Sequence, residues 1–338
     1  MIYPKFLEKG QTIGIPAPSS GLVEDKILKY NQALKSVHKL GYKTVESENR
    51  FCDDFHVSAT SSVRAEEFLR MWKNENINAI ISLGGGEFMV EILPFLKAEE
   101  FKKSTPKFFQ GFSDNTVLVY YLTTSLDIAT IYGYNFLNFG MKKWHGSLND
   151  NFSLLTGQNF SFKSMEKYQT KRYKNPKKIL SGFNLTKNVK WTNVAGNKKV
   201  SFTGRMIGGC LDILVTILGT KFDKTKEFIE KYASDGIIWY LETCDLTVPE
   251  TIRALWQLKN ADWFKYVKGF VFGRPLISKT FCDLTNRKAV VSQLSDLNVP
   301  IIMNADIGHL PPTMPVLNGA IATVNYENYE GEITYSLK

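Results

Sequence analysis

Short apolar runs alternate with helical patterns over the first 140 residues of the chain. The runs within "QTIGIPAPSSG", "NAIISLGGGE" and "IATIYGYNF" have the length and composition of buried strands. Between them, "DKILKYNQALKSVHKLGYK", "VRAEEFLRMWKNENI" and "FMVEILPFLK" place apolar residues at helical spacing. This alternation predicts a βα repeat on a parallel sheet, and hence a Rossmann-like α/β domain over residues 1–145.

The periodicity fades between residues 146 and 202, where glycine, proline and basic residues interrupt any pattern, so this segment is predicted to be a linker or an insertion. Beyond it, "GRMIGGCLDILVTILGT" predicts a helix opened by glycines, and "VPETIRALWQLKNADWF" predicts another. Strands are predicted in "DGIIWYLET", "VKGFVFGRP", "VPIIMNADIGH" and the terminal pair "AIATVNYENYEGEITYSL". Residues 203–338 therefore form a second, smaller α/β domain rich in strands.

Charge is concentrated in one part of the chain. The net charge is +9, yet residues 163–199 hold eleven lysines and arginines against the single acid Glu166, so the rest of the chain is close to neutral. Such a run is usually a solvated surface, although a basic loop can also meet phosphate or an acidic substrate.

Cysteine usage and the N-terminus indicate a cytoplasmic protein. The four cysteines have no CxxC spacing, which fits buried thiols in a reducing compartment. The first residues contain no continuous apolar segment, and no run is long enough to span a bilayer, so neither secretion nor membrane association is expected.

Ser113 lies where a strand pattern changes to a helix pattern, in "FFQGFSDNTVLVYYL". A serine in that position is a favoured N-cap, because its oxygen accepts a free backbone N–H. A sharp turn at Gly111 would also lift the side chain above the sheet edge, where a nucleophile could act. Both interpretations need the same backbone, so the motif by itself leaves them open.

A serine nucleophile needs a base, and the base needs an orienting group. The chain has four histidines, and His309 is the best placed because it follows the apolar run "VPIIMNADIG". Glu242 ends the apolar strand pattern "GIIWYLE". A carboxylate at a strand end is often only solvated, but it can also orient an imidazole.

The glycine run Gly84-Gly85-Gly86 follows a predicted strand, and Glu87 comes next. Glycines in such a turn let backbone N–H groups approach a phosphate or an oxyanion. The run is neither GxGxxG nor a Walker loop, so no nucleotide cofactor is indicated. No zinc or calcium motif occurs, and no catalytic metal is expected.

These pieces together resemble, in order and spacing, the LD-carboxypeptidase family of serine peptidases, which includes the microcin C immunity proteins. The motifs are "ISLGGGE", the GxSD of the Ser113 segment, "GRMIGGC", "IIWYLET" and "VPIIMNADIGHLPPTMPVLNGAIATV". The resemblance implies a catalytic triad of Ser113, Glu242 and His309, an active site between two domains without a metal or other cofactor, and a homodimer. It also implies that the oxyanion would be met by the N–H of Asp114 and that of Gly85 or Gly86.

The chain departs from the family at Cys210, because the family usually has asparagine in "GGN" where this chain has "GGC". The long basic insertion and "GGGEFMVEIL" are closer to the immunity branch, which implies a peptidyl-nucleotide or aminoacyl-nucleotide substrate. Glu87 and the residue at position 210 are then predicted to contact that substrate.

Trp191 lies among lysines in the basic insertion. Such an indole can stack on a nucleobase while the ammonium groups meet phosphate. It can equally pin the insertion onto the domain, because tryptophan is usually buried.

Two other functions stay open at this point. The same enzyme class trims murein tetrapeptides in cell-wall recycling. A non-catalytic nucleotide or nucleic-acid binder would use the glycine turn and the basic insertion but would gain nothing from Ser113 or His309. We therefore expect a small peptide or peptidyl-nucleotide substrate rather than a nucleic acid partner.

Overall fold

A parallel sheet forms from the first part of the chain in a computed structural model, which describes residues 1–51, 56–172 and 179–338. Its strands run in the order β2, β1, β3, β4, β5 and β14, and only β14 is antiparallel to its neighbour. The order 2-1-3-4-5 is that of doubly wound α/β folds. These strands are β1 (Thr12–Ile15), β2 (Lys43–Glu46), β3 (Ala79–Ile81), β4 (Phe108–Gly111), β5 (Thr130–Tyr132) and β14 (Val316–Asn318).

The strands of a second, larger sheet run in the order β6, β16, β15, β10, β11, β12, β13 and β9. Its central strands β10 to β13 are parallel, and the flanking strands are antiparallel. Its strands are β6 (Ser161–Lys163), β9 (Thr192–Asn193), β10 (Lys199–Cys210), β11 (Ile237–Glu242), β12 (Val267–Gly273), β13 (Ile301–Ala305), β15 (Ile321–Glu327) and β16 (Glu330–Ser336). A separate hairpin pairs β7 (Lys167–Tyr168) with β8 (Lys187–Asn188).

Helices cover both sheets, and α4 lies between them. Nearly every residue of α4 is buried, and Tyr120 packs with Trp239 and Trp263 of the second sheet's core. The helices are α1 (Ile27–Lys39), α2 (Ser61–Lys73), α3 (Ala98–Lys102), α4 (Thr116–Leu126), α5 (Gly146–Leu155), α6 (Leu211–Ile217), α7 (Thr225–Lys231), α8 (Val248–Asn260) and α9 (Asn286–Leu294). The fold class predicted from the pattern is confirmed: a parallel-sheet α/β region and a second, strand-rich α/β region.

Four local predictions were wrong. The glycines of "GRMIGGC" lie in the strand β10, so the helix begins only at Leu211. The helix α5 forms at the start of the segment predicted to be a linker, where its buried residues pack on the first sheet's core. The segment after the glycine turn forms a 3₁₀-helix, Met89–Phe95, rather than an α-helix, and it contains Pro94, which cannot donate an α-helical hydrogen bond. Cys282 is exposed in a loop before α9, whereas Cys210 and Cys244 are buried as expected.

Some predictions fall on residues outside the described ranges. Cys52 and residues 173–178 of the basic insertion are among them. The domain boundaries stay a prediction, and β6 and β9 of the insertion pair with strands of the second sheet. Over the described residues, no helix has the length and apolar content needed to cross a bilayer.

Gly208 explains why glycines occur inside β10. Its φ is +153°, and a Cβ there would overlap the carbonyl oxygen of Tyr240 on the adjacent strand β11. Because both partners are backbone of one ladder, neither can move away without breaking strand pairing.

We expect Gly208→Ala to lower the free energy of unfolding by about 3 kcal/mol, at the upper end of ordinary overpacking costs. The matched control is Gly146→Ala, since a Cβ at Gly146 would meet nothing within 4 Å. Chemical denaturation followed by circular dichroism measures both variants. Equal stability of the two would contradict the close packing of β10 against β11.

Candidate active site

Ser113 lies at the sharp turn that follows β4. Its φ is +68°, a left-handed conformation that costs a non-glycine residue energy and is often found at functional sites. The helix α4 begins only at Thr116, and the Ser113 hydroxyl bonds to a histidine instead of to the helix N-terminus. The N-cap interpretation of Ser113 is therefore wrong.

Glu242 and His309 reach Ser113 from the second sheet. Glu242 is the last residue of β11, and His309 follows β13. His309 Nε2 lies 2.8 Å from Ser113 Oγ, and His309 Nδ1 lies 2.8 Å from Glu242 Oε2. The structure thus brings the three predicted side chains into one hydrogen-bonded series, with the serine on one sheet and its partners on the other.

The Glu242 carboxylate is fully buried and depends on its hydrogen bonds. Burial by itself would raise its pKa, but His309 and the hydroxyl of Tyr132 together hold the pKa of Glu242 below its usual value. The Tyr132 hydroxyl donates to Glu242 Oε1 at 2.6 Å and accepts the Ser113 backbone N–H at 3.2 Å. Tyr132 therefore connects both ends of the series.

A buried polar network holds the segment that carries His309. Asp306 pairs with Arg274 at 2.6 Å, and the Trp191 indole N–H donates to Asp306 Oδ2 at 2.9 Å. Gly308, with φ +103°, lets the backbone pass close to Glu242, since a Cβ would lie 2.6 Å from Glu242 Oε2. The imidazole is consequently placed by groups that never touch Ser113.

Of the two interpretations left open for Trp191, the one in which it contacts the substrate is wrong. Its side chain has 0% exposure and packs against Gly331 of β16. An indole without exposed surface cannot stack on a nucleobase. The alternative prediction, that Trp191 pins the insertion onto the domain, agrees with its bond to Asp306.

Of the predicted oxyanion donors, Gly85 and Asp114 lie beside the serine, whereas Gly86 lies next to Ser19 and Ser20. A Cβ on Gly85 would lie 3.3 Å from Ser113 Cβ, which places this part of the glycine turn in contact with the serine. The Asp114 side chain is buried and accepts hydrogen bonds from the Ser19 hydroxyl and, at 2.9 Å, from Met89 N–H. Asp114 thereby fixes the turn, while its own backbone N–H directly follows the nucleophile.

A cavity of about 370 Å³ opens beside Ser113 and His309. Within it, burial raises the pKa of Glu87, and the nearby carboxylates of Asp114, Asp245 and Asp212 add to the shift, while Arg172 opposes it. The predicted residues Gly85, Gly86, Glu87, Ser113, Asp114, Cys210 and His309 line the cavity together with Ser20, Lys26, Gly84, Phe112, Asn135, Leu137, Asn138, Arg172, Asp212, Ile213, Cys244 and Asp245.

Sequence reasoning missed three features of this site. Asp212 accepts backbone N–H bonds from Cys244, Asp245 and Leu246, and it thereby holds the loop after Glu242. Arg172 bonds to Cys244 Sγ at 2.8 Å, although it was counted only as part of a charge run. Tyr132 ends β5, which pairs with β4, the strand that leads to Ser113. Its place at the end of a strand next to β4 was the signal in the sequence that could have pointed to its role.

One group of side chains has the composition of a metal site. Cys210, Glu242 and His309 each offer a ligand atom, and these atoms lie within 4.8 Å of one another. Burial, with the carboxylates of Glu242 and Asp212, raises the pKa of the Cys210 thiol well above its ordinary value.

An α/β fold with a serine, a histidine and a buried carboxylate in one hydrogen-bonded series is the arrangement of serine-type hydrolases. The sequence matches the LD-carboxypeptidase N-terminal domain over residues 13–133 and the LD-carboxypeptidase C-terminal domain over residues 203–324. The chain belongs to the LD-carboxypeptidase family and is a serine-type carboxypeptidase.

Individual relatives are similar over almost the whole chain. The microcin C7 self-immunity protein MccF of Escherichia coli is 26% identical, over 97% of this chain and 94% of its own length. An MccF-like protein from Bacillus anthracis has a structure with a TM-score of 0.86 and 25% identity, with 100% of both chains covered. An MccF-like protein from Streptococcus pneumoniae, solved in complex with AMP, has a TM-score of 0.81 and 25% identity, with 96% of this chain and 98% of that chain covered.

We expect Tyr132→Phe to lower kcat by at least about tenfold, because one hydrogen bond to a charged group, worth about 1.5 to 3 kcal/mol, is lost at Glu242. The acid limb of the pH–rate profile should move to higher pH. The Tyr132 hydroxyl helps to keep the pKa of Glu242 low, so without it the carboxylate takes up its proton at a higher pH.

The control for this prediction is Tyr120→Phe, which removes another buried hydroxyl, bonded to Thr225 at 2.8 Å and outside the site. It should leave both the rate and the profile unchanged. An unshifted profile in Tyr132→Phe would mean that Tyr132 does not position Glu242.

Proposed function

We propose that Ser113, His309 and Glu242 form the catalytic triad of a carboxypeptidase that cleaves an amide bond in a peptidyl-nucleotide or aminoacyl-nucleotide substrate. The observation that carries this proposal is the pair of 2.8 Å contacts that joins the serine hydroxyl to the imidazole and the imidazole to the carboxylate. Both contacts fall in the range required for proton transfer and for orientation of the base.

The chemistry follows from that series. His309 Nε2 takes the proton of the Ser113 hydroxyl as its oxygen attacks the substrate carbonyl, and Glu242 stabilises the imidazolium that forms. The same imidazole then gives its proton to the leaving nitrogen. A water molecule, activated by His309 in turn, hydrolyses the acyl-enzyme and restores the serine.

The negative charge on the carbonyl oxygen needs nearby donors. We assign this role to the backbone N–H of Asp114 together with that of Gly85 or Gly86. The contact between Gly85 and Ser113 supports the assignment, because a donor must lie close to the carbon that the serine attacks. Removing one such donor typically costs about a hundredfold to a thousandfold in kcat.

The cavity supports a small substrate that carries both signs of charge. Its volume of about 370 Å³ falls within the range of small-molecule sites. Arg172 and Lys26 can meet a phosphate or a carboxylate, while Glu87 and Asp245 can meet an ammonium group such as the free amine of an aminoacyl moiety. The relatives named for microcin C7 self-immunity, and the relative solved with AMP, support a nucleotide portion.

We expect Ser113→Ala to abolish turnover and to leave the fold intact, because the hydroxyl does not cap a helix. Ser125→Ala is the matched control on the following helix, since the Ser125 hydroxyl is buried without a hydrogen-bond partner among the described residues. Single-turnover assays with both purified variants check the prediction. A Ser113→Ala enzyme that is as active as the control would eliminate the triad.

We expect the wild-type enzyme to hydrolyse an aminoacyl sulfamoyl adenosine with a kcat/KM at least about tenfold above that for a murein tetrapeptide, equivalent to about 1.4 kcal/mol. Product formation by mass spectrometry, with Ser113→Ala as the blank, measures both substrates. A preference for the tetrapeptide would assign the chain to murein recycling instead.

A further inference from the structure

Cys210 places a thiol next to the proposed triad. It ends β10, directly opposite Glu242 in the register of β10 and β11, and its side chain is 1% exposed. Its Sγ, a Glu242 oxygen and a His309 nitrogen lie within 4.8 Å of one another. Sulfur, imidazole nitrogen and carboxylate oxygen are the three ligand types that zinc prefers in proteins.

The spacing is close to what a tetrahedral zinc ion needs. With bonds of about 2.0 to 2.3 Å, ligand atoms around zinc lie about 3.3 to 3.8 Å apart. The 2.8 Å separation of Glu242 Oε2 and His309 Nδ1 must widen to reach that range, and separations up to 4.8 Å must shorten. Shifts of about 1 Å, which rotation about side-chain bonds provides, are enough for both changes. Both Cys210 and His309 also line the cavity, so an ion has a route from the cavity to these atoms.

We infer that Cys210, Glu242 and His309 bind Zn²⁺, and that the bound ion switches the enzyme off. The inhibition rests on the proposed function of His309, whereas the binding does not. Zinc at this position is an inhibitor rather than a cofactor, because two of its ligands are the base and the orienting acid of the triad.

The surrounding charges favour a divalent cation. Asp212 Oδ2 lies 3.4 Å from Cys210 Sγ, and Asp245 and Glu87 line the same cavity. Among the side chains that line it, the cationic ones are Lys26 and Arg172. Acidic neighbours that disfavour a thiolate in the free enzyme become favourable once a cation accompanies it.

The proton balance explains the inhibition. On binding, Cys210 releases its thiol proton to solvent, because the thiolate is the metal ligand. His309 Nδ1, the nitrogen that faces Glu242, bonds to zinc, so the one proton of the neutral ring moves to Nε2. An Nε2–H can only donate to Ser113 and cannot accept its proton, so the serine loses its base.

The first measurement is binding, which needs no substrate. Purified full-length enzyme is titrated with Co²⁺, a spectroscopic substitute for Zn²⁺, and then with Zn²⁺ in competition. We expect thiolate-to-cobalt charge-transfer absorption in the wild type and its loss in Cys210→Ser and Cys210→Asn. The matched control is Cys282→Ala, which removes an exposed cysteine and should keep the absorption.

The second measurement is hydrolysis at increasing free Zn²⁺, with each variant compared with its own zinc-free rate. We expect half-inhibition of Cys210→Ser and Cys210→Asn to need at least about tenfold more zinc than half-inhibition of the wild type or of Cys282→Ala. Mutation of a residue that only hydrogen-bonds to a metal ligand already lowers metal affinity at least about tenfold, and loss of a ligand itself should cost no less. Magnesium, which prefers oxygen ligands, should not inhibit.

The outcomes separate this inference from the proposed function. Absence of the charge-transfer band in folded wild-type enzyme, equal zinc sensitivity of the Cys210 variants and the wild type, or a rate that rises with zinc would each overturn the inference. Cobalt binding that depends on Cys210, in a chain that hydrolyses none of the substrates, would support the metal site and contradict the proposed function.

Discussion

The buried carboxylate of Glu242 is the constraint on which the arrangement of this molecule depends. A charge removed from water costs several kcal/mol unless partners compensate for it. Here the partners come from both sheets: His309 follows β13 of the second sheet, and Tyr132 ends β5 of the first. The two sheets must therefore stay in one relative position for the carboxylate to remain ionised. The same contacts orient the imidazole toward Ser113.

Support for His309 extends well beyond the cavity. Asp306 lies three residues before it and is fully buried, with bonds to Arg274 and to the Trp191 indole. Trp191 belongs to the basic insertion, whose short strand β9 pairs with β13. The insertion is thus part of the frame that holds the base, even though its many lysines suggest a purely solvated segment. Among the described residues of the insertion, Arg172 lines the cavity.

The apolar pattern predicted the parallel sheet and made Ser113, Glu242 and His309 candidates, whereas their assignment as a triad came from the resemblance to the LD-carboxypeptidase family. Ser113 and Glu242 both end apolar strand patterns, and His309 follows one. Gly208 and Gly209 were misassigned to a helix because glycines before an apolar run look like a helix start, whereas close approach to Tyr240 and Thr116 explains them in a strand. Trp191 was ambiguous because burial depends on contacts with Gly331 and Asp306, which are distant in sequence. Tyr132 was missed for the same reason, since its partner Glu242 is 110 residues away.

The antiparallel strand β14 has a consequence for the order in which the protein can be built. It comes from residues 316–318 near the end of the chain, yet it completes the first sheet by pairing with β5. Asn318 also donates to Thr123 at 2.8 Å, inside the core of that sheet. When only the first half of the chain has been synthesised, the β5 edge of the first sheet therefore lacks its partner strand. Unpaired edges are prone to intermolecular pairing, so this edge stays open to such pairing until residues 316–318 have been synthesised.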